Sequence, residues 1–394
     1  MSTYNILLAT DANYLPYCFV TCQSVVNSLR LSKRSELDTI IFNLFIDEDV
    51  QLENLGHKCD SFTKRNNTNY VQFKFNLVPV SPAAFENAPK FKSGTLTTYY
   101  RLLVGDLLSN DIDRVLYLDC DVLVRNDIRI LFNELDLTDT VLAGAIDYGM
   151  EYEQGEPNDI LVKSNTKSLN NLYINIKDYF NAGVLLINLS EYRQQRIYEK
   201  CIEILEHYTI NAHDQDLLNL IVDKKKILPM TWNFMSFSYF HSYSKESKSF
   251  SLLPSKLNRP RYSAKNDVPE IEEFISISED PSICHFNQFK PWGKTNCLNT
   301  SLPLNNALTK ILKEWYVTAE AVTEFSDELR GLKYCQFNNY DVITCFLNER
   351  IAVTQETLDK QITRRRRDRN VMLSLLALLF ITQIATLIMI TCGD

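Results

Sequence analysis

The segment Arg114-Val-Leu-Tyr-Leu-Asp119-Cys-Asp121-Val-Leu-Val124 constrains this chain more than any other. Its apolar content and length predict a buried strand, yet it carries two carboxylates two residues apart. Side chains alternate along a strand, so Asp119 and Asp121 are expected on one face. Two like charges this close beside an apolar core repel and are poorly solvated, so they require a cation or a proton between them. Oxygen ligands suit Mg²⁺ or Mn²⁺, and Mn²⁺ also accepts imidazole. The plainer alternative is a pair of acids at a strand end capping a following helix. One Asp serves as a cap, and a second has no such reason to be there.

Around this segment, apolar runs and turn signals alternate through the first 230 residues in the α/β pattern. Strands are expected over 6–10, 39–46, 71–80, 114–124 and 141–147, and helices over 16–29, 51–64, 97–108, 192–208 and 214–222. After Asn233 a stretch rich in Ser, Tyr and Lys lacks periodicity and reads as a long loop region of the kind kept for substrates. From Ser301 the pattern turns helical. Leu308, Ile311, Leu312 and Trp315 share one stripe, and Ile343, Leu347, Ile351, Leu358 and Ile362 continue one, as in helices packed on the body or on a second copy. The expected organisation is a catalytic domain over 1–300, a helical membrane-proximal region over 301–363, a basic juxtamembrane segment over 364–370 and a transmembrane helix over 371–390.

That last element rests on twenty residues of mostly Leu, Ile, Val, Met, Phe and Ala, the length of a bilayer core at helical rise. Five Arg and one Asp fill 364–369, so the rest of a chain of net charge -8 carries -12. An acidic body with its positive charge gathered in one run argues against a nucleic-acid groove and for contact with anionic lipid heads. By the positive-inside tendency the expectation is a single-pass C-terminal anchor with the catalytic domain cytoplasmic. An interfacial helix lying on the membrane is the alternative, since Ser374, Thr382, Gln383 and Thr386 interrupt the run. Ten cysteines without a C-x-x-C pair read as reduced thiols, and the sequons at Asn66, Asn188 and Asn299 as chance, because MSTYNILLAT lacks the features of a signal peptide.

A D-x-D at a strand end also occurs in haloacid-dehalogenase-like phosphatases, where the first Asp is nucleophile and the second general acid. Here Leu123 stands where that motif prefers Thr or Val, and over a hundred residues precede it. Neither G-x-G-x-x-G after a strand nor G-x-x-x-x-G-K-[ST] is present, which disfavours dinucleotide and P-loop functions.

Seven motifs in order give a closer reading: LLATDANY at 7–14, TLTTYYRL at 95–102, VLYLDCDVLV at 115–124, GAIDY at 144–148, YFNAGVLLINL at 179–189, HDQDLLN at 213–219 and HFNQFKPW at 285–292. Over residues 4–295 the chain resembles glycosyltransferase family 8, whose bacterial members include lipopolysaccharide glucosyl- and galactosyltransferases. The resemblance implies a single Rossmann-like, glycosyltransferase A-type α/β domain with a mostly parallel central sheet. It implies retaining, metal-assisted transfer of glucose or galactose from a UDP-sugar to a glycan or lipid-linked acceptor, with Mn²⁺ (or Mg²⁺) as cofactor. A membrane-tethered nucleotide-sugar-binding protein without activity is the non-enzymatic alternative, and the helical C-terminal region offers a contact for an oligomer.

By the same resemblance His285 joins Asp119 and Asp121 as a metal ligand, and Lys290 reaches the diphosphate. Ala9, Asp11, Asn13 and Tyr14 form the nucleotide pocket, with Tyr14 stacking on the base; Cys120 belongs to the donor site. Arg101 faces the donor sugar and phosphate, and Asp147, Asn181, Asp214 and Gln215 surround the sugar ring, Gln215 standing where a nucleophile would be. Without the resemblance, Asp11 reads as a strand-to-helix cap, Asn181 as a turn residue opening a strand, Asp214 as a helix cap and His285 as one scattered histidine of five. Some relatives place one more residue and a Gly between the His and the Lys, where this chain has Asn287-Gln288-Phe289.

Overall fold

β1 (Ser2–Thr10) is apolar on both sides, with Ile6, Leu7 and Leu8 all inaccessible, which is how a strand reads when both faces of its sheet are covered. The computed structural model describes residues 2–30, 37–86, 88–89, 95–147, 159–236, 241–244, 249–252, 276–287, 290–292 and 305–336. After β1 come α1 (Leu15–Arg30), β2 (Asp38–Asp47), α2 (Leu52–Asn66) and β3 (Val71–Val80). A 3₁₀ helix (Thr97–Leu103) leads into α3 (Val104–Leu107), then β4 (Arg114–Leu118), β5 (Val122–Val124), α4 (Arg129–Glu134) and β6 (Leu142–Ile146). The chain continues through β7 (Asp159–Ser164), β8 (Leu172–Asn175), β9 (Phe180–Asn188), α5 (Leu189–Gln194), α6 (Ile197–His207) and β10 (Tyr208–Thr209). Next are α7 (His213–Ile221), β11 (Lys225–Leu228), β12 (Phe234–Met235), the hairpin β13 (His241–Ser244) and β14 (Ser249–Leu252), β15 (Ile283–His285), α8 (Asn305–Glu320) and α9 (Ser326–Gln336).

The seven-stranded central sheet has the order β11-β6-β9-β4-β1-β2-β3. Its neighbours are parallel except where β9 runs antiparallel to β4 and β6, so the expected mostly parallel α/β sheet is present. Alternate residues feed two cores: Leu116, Leu118, Val184 and Leu186 on one face, Val115, Tyr117, Leu185 and Ile187 on the other. β1 and β4 lie side by side and parallel, so Asp11 and Asp119 emerge together past their carboxyl ends, where open α/β sheets hold ligands. The stripe of Leu308, Ile311, Leu312 and Trp315 is buried in the first core, and α8 therefore packs on the body.

Three expectations about local structure need correction. The single strand over 114–124 is two strands in different sheets, broken at 119–121, because Asp119 N–H ends the β9 pairing at Gly183 O (2.8 Å) and β5 then pairs with β15. The helix over 97–108 is mostly 3₁₀, and the helix over 192–208 divides at Arg196, whose φ is 53°.

The stretches 343–362, 364–369 and 371–390 lie outside the described residues, and among the described residues no helix is long and apolar enough to cross a membrane. Cys18, Cys22, Cys59, Cys120, Cys201 and Cys284 are buried free thiols. At the end of the sheet away from the cleft, Arg129 pairs with Asp38 (2.7 Å) and Asp127 (2.6 Å), all three partly or wholly buried. Arg129→Met should lower the unfolding free energy by about 3–5 kcal/mol in urea titration, because it leaves the Asp38 carboxylate buried without its partner.

Candidate active site

Interrupting the strand at Asp119–Asp121 brings the acids together. On one flat strand, residues two apart stand about 6.6 Å apart; with the break, ligand atoms of Asp119, Asp121 and His285 all fall within 4.8 Å of one another. His285 is delivered from the far side by register: β15 pairs antiparallel with β5, His285 opposite Val122, while Phe286 N–H donates to Asp121 O at 2.8 Å. Its Nε2 lies 3.2 Å from Asp121 Oδ1 and 3.6 Å from Asp119 Oδ2.

The tautomer of His285 can be traced from backbone donors. Gly183 N–H donates to Asn181 Oδ1 and Ala182 N–H to Gln215 Oε1, each at 3.0 Å, which fixes both amide orientations. Asn181 Oδ1 also accepts from Asn233 Nδ2 (2.9 Å), so Asn233 Oδ1 faces His285 Nδ1 at 3.0 Å and that nitrogen carries the proton. With Nδ1 turned to Asn233, Nε2 is the ring nitrogen left to face the two carboxylates and to offer a metal its lone pair. Three electron-rich groups converging on one point fit a divalent cation, with Asn233 the outer partner that orients the imidazole ligand.

Other partners hold the acids from the opposite side. Asp119 Oδ1 accepts from Arg101 Nη2 (2.9 Å) and Tyr117 Oη (2.6 Å), and Asp121 Oδ2 accepts from Lys290 Nζ. Burial opposes ionisation of Asp121, but the Lys290 ammonium holds its carboxyl well below the usual carboxylate range. Lys290 is raised in turn, Asp121 outweighing its own burial. Arg101 bridges Asp119 and Asp214, its Nε 3.0 Å from Asp214 Oδ2. The 3₁₀ geometry has a consequence here: positions i and i+3 eclipse, so Thr98 and Arg101 both reach Asp214, Thr98 Oγ1 donating to Oδ1. Burial pushes the Asp214 carboxyl up, and Arg101 offsets part of that.

These groups line a cleft of about 360 Å³ that contains Ala9, Asp11, Tyr14, Arg101, Asp119, Cys120, Asp121, Asn181, Asp214, Gln215 and Lys290. His285 stands behind it in contact with both acids, and Asp147 joins through Asn181 Nδ2 (3.1 Å) and Gln215 Nε2 (2.9 Å) donating to its Oδ2. Asn13 is not among the lining residues. Its N–H and that of Tyr14 donate to Asp11 Oδ1 at 2.9 Å, the turn cap that the plain reading of Asp11 anticipates, while Asp11 also borders the cleft. Asp214 is not the cap of α7, where Ala212 stands, and Asn181 is at the opening of a strand, as the second residue of β9, already within the strand and not in the turn before it.

Sequence reasoning missed Tyr117, Thr98 and Asn233. An Asn in an aromatic run carries no signal of its own, and Asn233 matters only because β12 runs beside β15. Asn233→Leu strips His285 of its orienting acceptor. It should weaken Mn²⁺ binding about 10- to 100-fold in a paramagnetic-resonance titration, and Asn233→Asp, which keeps the acceptor, should fall between.

The model of glycosyl transferase family 8 matches residues 5–296. Lipopolysaccharide 1,3-galactosyltransferase of Salmonella typhimurium is 28% identical over 235 residues, covering 58% of this chain and 63% of that protein. General stress protein A of Bacillus subtilis is 30% identical over 224 residues, 55% of this chain and 66% of its own length, so the match spans less than two thirds of either relative. The crystal structure of galactosyltransferase LgtC in complex with donor and acceptor sugar analogs shares the fold, with a TM-score of 0.54 at 24% identity over 83% of this chain and all but 1% of that one. The matched span holds the broken strand, β9 and His285 alike: the chain belongs to glycosyltransferase family 8.

Proposed function

We propose that this chain is a retaining hexosyltransferase that moves glucose or galactose from a UDP-sugar to a glycan or lipid-linked acceptor. The observation that carries this reading is the convergence of Asp119, Asp121 and His285 beside the Lys290 ammonium in one cleft. Those three side chains would hold Mn²⁺ or Mg²⁺, which when bound supplies Lewis-acid stabilisation to a diphosphate leaving group. Lys290 adds a second positive charge where that leaving group develops its own. Tyr14, 36% exposed at the rim, offers a face to the base, and Asp11 and Ala9 border the same end of the cleft.

Retention through a covalent adduct would require a free nucleophile. Gln215 Oε1 already accepts from Asn181 Nδ2 and Ala182 N–H, both at 3.0 Å, and its Nε2 donates to Asp147. Asp214 is tied to Arg101 and Thr98. Both engagements favour departure and attack on the same face, with Gln215, Asn181 and Asp147 shaping the sugar subsite. The phosphatase alternative needs Asp119 as nucleophile, and its Oδ1 is taken by Arg101 and Tyr117.

The relatives named for lipopolysaccharide transfer support an acceptor of that class. We extend the proposal to a membrane anchor over 371–390, with Arg364 to Arg369 on the cytoplasmic side keeping the catalytic domain there. Purified protein should release UDP from UDP-glucose or UDP-galactose in Mn²⁺, and NMR of the product should show the donor's anomeric configuration. Inverted product, or turnover of phosphomonoesters with none of UDP-hexoses, would overturn the reading.

A further inference from the structure

α8 lies beyond the residues that the family model matches, yet it contacts the segment that carries Lys290. Its Tyr316, 4% exposed, donates from Oη to the carbonyl of Pro291 at 2.5 Å, one residue after Lys290. The preceding Trp315, 1% exposed, packs on Trp292 with ring centroids 5.5 Å apart and planes tilted by 38°. Trp292 in turn stacks on Tyr17 (3.8 Å, 5°) and meets Tyr14 edge-on at 5.9 Å. Lys290 itself reaches Asp121. The tripeptide Lys290-Pro291-Trp292 is thus gripped at its carbonyl and its ring by consecutive residues of one helix.

The same helix is fastened on the other side of the acidic pair. Glu314 pairs with Arg125 Nε at 2.6 Å, and Arg125 follows β5 directly, four residues after Asp121. Arg125 Nη1 also donates to Pro281 O at 2.9 Å, just before β15 delivers His285. With Leu308, Ile311 and Leu312 sunk in the core, α8 has little freedom to rotate or slide. A lysine brings a point charge on a flexible four-carbon stem, so its aim depends on how firmly its backbone is held. Proline has no N–H to offer, which leaves the Pro291 carbonyl as that residue's one backbone polar handle.

We infer that Tyr316 is a positioning residue for Lys290: through Pro291 it sets where the ammonium stands, and through Trp315 and Trp292 the same helix braces Tyr14. This rests on the donor reading above for its consequence, but the positioning itself can be measured without a donor. In Tyr316→Phe, acetylation of Lys290 by acetic anhydride, followed by peptide mass spectrometry, should accelerate about tenfold relative to the other lysines, the size of one buried hydrogen bond. Affinity for UDP in Mn²⁺ should fall by a similar factor of about ten, while in a Lys290→Met background the same substitution should change it less than about twofold.

Trp315→Phe, which keeps the hydroxyl next door and reduces the ring contact, should shift both readouts in the same direction, and circular dichroism confirms that each variant is folded. Unchanged Lys290 acetylation in folded Tyr316→Phe, or an equal loss of UDP affinity with Lys290 absent, would overturn the inference and leave Tyr316 a packing residue. Faster acetylation in a protein whose parental form binds no UDP would uphold the positioning and remove the donor reading instead.

Discussion

Gly183→Ala is expected to abolish divalent-cation binding while leaving the sheet intact. A Cβ there would lie 2.3 Å from His285 Cε1 and 2.7 Å from Asp119 Oδ2. Neither neighbour has room to yield, since Asp119 is held by Arg101 and Tyr117 and His285 by Asn233. β9 passes so close behind the acids that only a residue without a side chain lets two ligands stand where they do. Loss of an outer-shell partner alone costs about 10- to 100-fold in metal affinity, so displacing two ligands should exceed about a hundredfold. Mn²⁺ titration and UDP release are the readouts, with the thermal unfolding midpoint as the control; parental Mn²⁺ affinity in the variant would contradict this arrangement of ligands.

Arg101→Met should cost about 3–5 kcal/mol of stability and most of the activity, because it leaves Asp119 and Asp214 facing each other without the cation between them. Arg101 is 6% exposed, its fork reaches both acids and the Ala182 carbonyl, and Asp119 and Asp214 keep it more firmly protonated against the pull of its burial. Lysine has one point of charge and no fork, so Arg101→Lys should recover only part of the loss. The pH dependence follows from Asp214. Burial raises its folded-state carboxyl, so the folded protein binds that proton more tightly than the unfolded chain does. Stability from such a group falls as pH rises above the unfolded value of about 3.9. Without Arg101 to offset the burial, the window widens upward, and the variant should regain stability in urea titrations as pH is lowered from neutrality toward that range. A variant equally unstable across that window would mean that Asp214 is not what Arg101 restrains.

Much of this architecture is legible in the sequence because both faces of the sheet are covered. A strand such as 39–46 is then a near-continuous apolar run, the edge strand 71–80 alternates apolar with polar residues, and the helices between them carry stripes at helical spacing. Asp119 and Asp121 stand out for the same reason, as charges in a run otherwise fit only for a core. What the sequence could not convey is geometry created by long-range pairing. The break at 119–121 depends on β15, more than 160 residues away, and the 3₁₀ turn is matched to Asp214, which accepts from Thr98 and pairs with the Arg101 cation three residues on. Asn233 and Gly183 belong to the same class: one is chosen by the ring nitrogen it faces, the other by the space it leaves.

The most direct test of the central claim is a calorimetric titration of UDP into the protein with Mn²⁺, with chelator, and with Asp121→Asn in Mn²⁺. Binding should be strong in the first and weaker by more than about a hundredfold in the other two, given what even outer-shell losses cost. Equal UDP affinity in all three would contradict a metal held by Asp119, Asp121 and His285 at the donor site.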